Sequence, residues 1–226
     1  MVTSVTDHTD RKTLNLAVLI SGNGSNLQAI IDSCQKDTFP ANASLVISNK
    51  PSAYGLERAK KAGIETVVIS NKDYPTRDAF DQEIMRILQQ YSIDLVCLAG
   101  FMRIVTPGFV KQWHNKMINI HPSLLPSFKG MNAIEQAYEA GVKFAGCTVH
   151  YVRDDVDSGP IIVQAITDIK SNETLSEIED KIHVLEHQSY PLAIELIAKG
   201  CVSFVDQDSI TIKDDPTIVT PSNVNY

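Results

Sequence analysis

The stretch Leu16-Ala-Val-Leu-Ile20-Ser-Gly-Asn-Gly-Ser-Asn26-Leu-Gln-Ala-Ile-Ile31 decides the fold. Residues 16–20 are a continuous apolar run of strand length, without the alternation of a half-exposed strand, so both faces of this strand are expected to be buried. Residues 21–26 are a polar, glycine-rich turn, and Leu27, Ile30, Ile31 and Cys34 follow at helical spacing. A strand, a tight turn and an amphipathic helix point free backbone N–H groups and the positive end of a helix dipole at the turn, which makes an anion site, most often for phosphate. Gly22 and Gly24 permit close backbone approach. The dinucleotide fingerprint is only partly present. Leu27 stands where the third glycine is wanted, and the next strand ends in Ser48-Asn49 where an acidic ribose partner is wanted. The Walker lysine is also missing. A monophosphate or other compact anion fits this turn, as does an ordinary tight connection with no ligand.

The pattern then repeats. Residues 45–48 form an apolar run, a helix is predicted over 55–62 and stops at Gly63, and residues 66–69 are a third strand. Phe80, Ile84, Ile87 and Leu88 give a helix with one apolar face, and residues 94–99 a fourth strand ending at Gly100. Strands alternating with helices predict one Rossmann-like α/β domain, a mostly parallel sheet with helices on both faces. Its sites are expected at the carboxyl ends of the strands, where residues 22–26, 100–103 and 119–121 all fall.

The last of these is Met117-Ile-Asn-Ile-His-Pro-Ser123. Asn119 and His121 point to one face of an extended strand and Ile118 and Ile120 to the other. Pro122 ends the strand where the imidazole is presented. An amide that donates to a developing oxyanion beside an imidazole that moves a proton suits acyl chemistry, although a single histidine near a buried strand is often structural. The loop that follows holds two prolines, either of which can take the cis form. Ile134, Ala137 and Tyr138 predict a short helix up to Gly141, and residues 146–152 an alternating strand. Residues 153–160 are a polar loop with carboxylates at Asp154, Asp155 and Asp157. Such a loop is usually a solvated turn, and the spacing of a calcium loop is absent. A carboxylate folded back onto His121 would favour the imidazolium and fix the ring, and Asp157 is the candidate.

Residues 161–166 are another strand. A long helix opens on the capping pattern Thr174-x-x-Glu177, is predicted to kink or break at Pro191, and ends at Gly200. Glu186 and His187 lie just before that break, where a side chain can turn toward a site. Residues 201–213 read as a small hairpin, 1–13 as a disordered leader and 214–226 as a loose tail. The domain is therefore placed at 14–213.

With 226 residues and a net charge of −7, the chain lacks the excess of Lys and Arg that broad binding to nucleic acid or a membrane surface requires. Its four cysteines are widely spaced, without a zinc or disulfide pattern, and no apolar run approaches the roughly 18 residues of a membrane span. A cytoplasmic location is expected.

Taken together, Ile20-Ser-Gly-Asn-Gly-Ser-Asn-Leu-Gln28, Leu98-Ala-Gly-Phe-Met-Arg-Ile104, Asn119-Ile-His-Pro-Ser-Leu-Leu-Pro126 and the run from His150 to Asp157-Ser-Gly-Pro160 resemble the folate-dependent formyltransferases. Within them, the likeness is to the branch that formylates glycinamide ribonucleotide (GAR) in purine synthesis. It extends from about residue 14 to 200. The resemblance implies that GAR sets its phosphate on Gly24, Ser25 and Asn26, with Glu186 near its amine and ribose. It places 10-formyltetrahydrofolate along Met102, Arg103, Ile104 and Val105 and along Arg153, Asp154, Asp155, Val156 and Asp157, with Arg77 able to meet the glutamate carboxylate. It also implies direct attack of the amine on the formyl carbon. Asn119 and protonated His121 would stabilise the oxyanion, Asp157 would hold His121, and no metal is required. A monomer or a homodimer is compatible with this. Ser158, where many relatives carry glycine, and the Phe128-Lys129 loop depart from the usual pattern. A formyltetrahydrofolate hydrolase is expected to carry an added N-terminal regulatory domain and a methionyl-tRNA formyltransferase an added C-terminal one. A non-catalytic phosphate sensor would leave Asn119, His121 and Asp157 without a shared purpose.

Overall fold

The computed structural model describes residues 13–213 and the short strand Ile218–Val219; the rest of the predicted leader and tail lies outside the described residues. The elements run β1 (Leu14–Ile20), α1 (Ser25–Cys34), β2 (Ala41–Ser48), α2 (Gly55–Lys61), β3 (Glu65–Val68), α3 (Arg77–Leu88), β4 (Leu95–Leu98), α4 (Pro107–Gln112), β5 (Met117–His121), α5 (Ala133–Glu139), β6 (Phe144–Tyr151), β7 (Ile161–Asp168), α6 (Leu175–Ala198), β8 (Val202–Phe204), β9 (Ile210–Ile212) and β10 (Ile218–Val219). The main sheet has the order β10-β7-β6-β5-β4-β1-β2-β3, and β8 pairs with β9 in a separate hairpin. Every neighbouring pair in the main sheet is parallel except β5/β6 and β6/β7, so β6 alone is reversed.

The continuous apolar run of β1 has the meaning expected of it. Leu16, Val18 and Ile20 enter one core with Leu27 and Ile30 of α1 and Ile178, Ile182 and Tyr190 of α6. Ala17 and Leu19 enter the other, with Phe80 and Ile84 of α3 and Phe109 of α4. All five β1 residues are fully buried. From β1 the chain adds β2 and β3 on one side and then β4 and β5 on the other, so the order reverses at β1. The loops leaving the carboxyl ends of β1 and β4 emerge side by side at this reversal, the Ser21 N–H donating to the Gly100 carbonyl (3.1 Å).

Two expectations need correction. Helix α6 is not broken at Pro191, which lies buried inside an uninterrupted run of 24 residues. Proline removes one backbone hydrogen bond, but the buried stripe through Ile178, Ile182, Leu185, Ala193 and Ile194 outweighs it. The Tyr190 hydroxyl also pins the helix to the sheet, lying 3.0 Å from the Leu98 carbonyl oxygen and 3.1 Å from that of Ile118. In the region read as a loose tail, Ile218 and Val219 pair in parallel with Gln164 and Ala165 of β7.

The glycine turn is tightly specified at one position. Gly24 takes φ +75°, and a Cβ there would lie 2.7 Å from the Gly55 Cα at the start of α2, while Gly22 has open space around it. The Gly55 N–H donates to the Gly22 carbonyl (3.1 Å), which holds turn and helix together. Gly24→Ala is expected to cost roughly 1–3 kcal/mol from the backbone conformation alone, plus the clash, whereas Gly22→Ala should fall within about 0.5 kcal/mol of the parent. Urea unfolding of the two variants measures this; equal stabilities would contradict the packing described.

Candidate active site

Strand β5 lies antiparallel to β6 with Asn119 opposite His150 and His121 opposite Thr148. Opposed residues share a face, so these four side chains form one polar patch, while Ile118 and Ile120 point into the core beneath α6. His121 Nδ1 lies 3.3 Å from Asp157 Oδ2, and its Nε2–H donates to the Phe128 carbonyl at 2.8 Å. Both ring nitrogens thus face acceptors, an arrangement that the imidazolium satisfies in full. Asp157 also accepts from the Gly130 N–H (2.8 Å), and its other oxygen lies 3.7 Å from His150 Nε2. Burial works to raise the Asp157 carboxyl, and the Gly130 N–H and the charge of His121 are among the interactions that more than offset it, holding the group below its ordinary value.

Asp157 reaches His121 through a tight local path. It takes φ +50°, and the backbone at Gly159 passes so close to Tyr151 that a Cβ would lie 1.8 Å from the Tyr151 carbonyl oxygen. On the other side, Thr148 holds the loop after β5. Its hydroxyl donates to the Ser123 carbonyl (2.7 Å) and accepts from the Leu125 N–H (3.1 Å) and from Gln164 Nε2 (3.0 Å). The Leu125–Pro126 peptide in this loop is cis. The sequence reading gave neither Thr148 nor His150 a role; the alternation of residues 148, 150 and 152 was the available signal.

The glycine turn lies at the start of α1, which has no side-chain cap and no acidic residue in its first turn. Its N-terminal N–H groups are thus not claimed by a side chain of the helix. Asn26 Nδ2 donates to Glu186 Oε2 at 3.0 Å, both residues being buried, and Asn26 Oδ1 has no partner among the described residues. Burial raises the Glu186 carboxyl above its ordinary value, opposed by the Asn26 hydrogen bond and the charge of His183. Arg58 of α2, which the sequence reading passed over, donates to the Asn23 carbonyl (3.0 Å), Asn23 Oδ1 (3.0 Å) and Gln28 Oε1 (3.2 Å). It sets a fixed positive charge at the turn. A cleft of about 400 Å³ lined by Ser25, Gln28, Asp32, Arg58 and His187 lies alongside.

The loop from β4 to α4 is held near both ends. The Met102 N–H donates to Ser21 Oγ (2.8 Å), which in turn donates to Asn49 Oδ1 (2.6 Å), and the Thr106 N–H donates to buried Asp81 (2.6 Å). Between these anchors Met102 and Ile104 are 69% and 59% exposed, an unusual presentation of apolar side chains, while Val105 is buried. Val156 is also exposed, on the loop carrying Asp157. Arg103 lies over the Phe80 ring (5.8 Å), and Arg77 stands exposed one turn before Phe80 and Asp81 on α3. Arg153 is turned away from His121. It donates to the Gln207 carbonyl (2.6 Å), Asn115 Oδ1 (2.8 Å) and its neighbour's Val152 carbonyl (3.0 Å), which ties the loop to the β8/β9 hairpin. Asp154 and Asp155 are exposed.

A sequence profile described as formyl transferase matches residues 14–194. The chain is 43% identical over 187 residues to phosphoribosylglycinamide formyltransferase of Escherichia coli (strain K12), covering 83% of this chain and 88% of that protein. It is 49% identical over 209 residues to the trifunctional purine biosynthetic protein adenosine-3 of Homo sapiens, covering 92% of this chain but 21% of that protein, so it spans about a fifth of this longer relative. Among solved structures, glycinamide ribonucleotide transformylase 1 from Symbiobacterium toebii superposes with a TM-score of 0.87 at 45% identity, over 89% of this chain and 95% of the other.

The raised Glu186 carboxyl has a signed consequence for stability. Above an unfolded value near ~4.3 the unfolded chain ionises this group while the folded chain resists it, so wild-type stability is lost as pH rises toward the folded value. Glu186→Gln removes that loss. Thermal unfolding of the two proteins should give similar midpoints near pH 4, with the variant gaining on the wild type as pH rises; a difference independent of pH would contradict a carboxyl raised by burial.

Proposed function

The chain belongs to the formyl transferase family, and we propose that it transfers the formyl group of 10-formyltetrahydrofolate to the amine of GAR, yielding formyl-GAR and tetrahydrofolate in purine synthesis. The observation that carries this reading is the cluster of Asn119, His121 and Asp157, together with the uncapped Gly24–Asn26 turn and the exposed apolar side chains Met102, Ile104 and Val156 on neighbouring loops. The nucleotide phosphate would take the free N–H groups at the start of α1 and the charge of Arg58, and Glu186 with Asn26 would face its ribose and amine. The folate ring system would lie against the loop carrying Met102, Arg103, Ile104 and Val105, with Val156 across from it and Arg77 toward its glutamate tail.

In this reading the neutral amine attacks the formyl carbon, and the new C–N bond forms as the carbonyl pair moves onto oxygen. Asn119 Nδ2–H and the His121 imidazolium donate to that oxyanion in a site partly shielded from water. Collapse breaks the bond from carbon to the folate nitrogen, and His121 relays the proton lost by the amine to that nitrogen. For His121 to serve, the Phe128 carbonyl must release Nε2. Asp157, held below the ordinary carboxylate range, stays ionised across the neutral range and orients the ring through Nδ1.

The test is the absorbance change on mixing the protein with 10-formyltetrahydrofolate. Tetrahydrofolate released only when GAR is present supports the transferase, release without GAR makes the protein a hydrolase, and no release in either case overturns the reading. His121→Ala should lower kcat by roughly 10²–10⁴ with little change in the KM for GAR. Asp157→Asn should also lose activity, and lose more toward alkaline pH, where no carboxylate remains to hold the proton on the ring. A steady-state pH profile for Asp157→Asn parallel to that of the wild type would remove Asp157 from this role.

A further inference from the structure

His150 is 2% exposed and has no part in the reaction as written above. Its Nδ1 lies 2.9 Å from the Tyr151 carbonyl oxygen, an atom that only accepts, so Nδ1 carries a hydrogen. The other nitrogen, Nε2, faces two groups with opposite demands: Asn119 Nδ2, a donor, at 3.4 Å and Asp157 Oδ1, an anion, at 3.7 Å. The first separation is within hydrogen-bond reach and the second is not. A neutral ring accepts from the amide. A ring protonated at both nitrogens turns an N–H toward that same amide, forces its oxygen round to face the ring, and draws Asp157 away from His121. The titratable groups facing His150 are Asp157 and, across that carboxylate, His121 of β5; strand β7 faces it with Ile161.

We propose that His150 is a positioning residue that acts through Asn119: its neutral ring, protonated at Nδ1, holds the amide with nitrogen toward the site and leaves Asp157 to His121. One amide N–H is engaged by His150 and the other remains for the oxyanion. The tautomer is the one less favoured by a free histidine side chain, and the Tyr151 carbonyl selects it. The kinetic consequence rests on the formyl transfer proposed above, but the tautomer does not.

Two measurements separate these levels. Long-range ¹H–¹⁵N NMR of wild-type protein labelled at histidine, with the signal assigned by its loss in His150→Gln, should show His150 neutral with hydrogen on Nδ1 at neutral pH. Hydrogen on Nε2, or a doubly protonated ring, would overturn the proposal whatever reaction the protein catalyses. In the formyl-transfer assay, His150→Ala should lower kcat about 10- to 100-fold with the KM values near those of the wild type. His150→Gln, whose carbonyl oxygen accepts from the amide without titrating, should recover most of that loss. The His150→Ala loss should also shrink to less than about threefold in an Asn119→Ala background, since a residue acting only through Asn119 has nothing left to position. Losses that multiply in the double variant, or no recovery with glutamine, would show that His150 does not work through the amide.

Discussion

The contact on which the rest of the site depends is the Asp157 carboxylate against the His121 imidazole, with only 8% and 7% of the two side chains exposed. Removing a carboxylate from water is costly, and it persists only where hydrogen bonds and opposite charge repay the loss. Here the Gly130 N–H and the His121 imidazole supply them. The reversed direction of β6 sets up this geometry. Because β6 is antiparallel to β5, its end at Tyr151 pairs with Ile118, and the Val152 N–H donates to the Met117 carbonyl at the start of β5. The loop after β6 therefore begins at the far end of β5 from His121 and must double back across the sheet face. Left-handed Asp157 and the close approach at Gly159 accomplish that return, with Arg153 anchoring its base.

The same face explains where a site can exist at all. Helix α6 covers one side of β5, β6 and β7. On the other side, α3 and α4 pack over β1, β2 and β4 and reach only as far as Met117 of β5. What remains beyond them is a strip of polar side chains, Asn119, His121, Thr148, His150 and Gln164, covered by loops in place of a helix. Loops can shape themselves to a ligand and still exclude much of the water, which strengthens each hydrogen bond made beneath them. The polar strip offers no apolar stripe for a further helix to pack against.

How much of this was legible in the sequence follows from how local each feature is. The βαβ frame was readable because the apolar runs of β1 and β4 and the spacing of α3 are set within a few residues. The convergence of Asn119 with His121 followed from the two-residue period of a strand. The reversal of β6 was not readable, since an alternating strand looks the same in either direction, and with it went the pairing of Asn119 with His150. Pro191 misled because its local effect, one lost hydrogen bond, is overruled by burial along α6, which only the assembled sheet provides. Arg153 stood beside the site in sequence, yet its guanidinium is taken up by Gln207, more than fifty residues away.

Two carboxyl groups, Glu186 of α6 and Asp157 of the loop after β6, show why burial alone does not assign a role. Glu186 and Asp157 are both buried, and burial pushes both toward the neutral form. Glu186 meets one neutral amide donor and the partial opposition of His183, so desolvation prevails and its carboxyl is held above the ordinary range. Asp157 meets a backbone N–H and the His121 imidazole, so the same penalty is overcome and it remains an anion. One carboxyl is thereby made easier to protonate beside the glycine turn, and the other is held as an anion against the His121 ring. The two like groups are driven apart by their environments, and the separation comes from the number and charge of the donors each carboxyl meets.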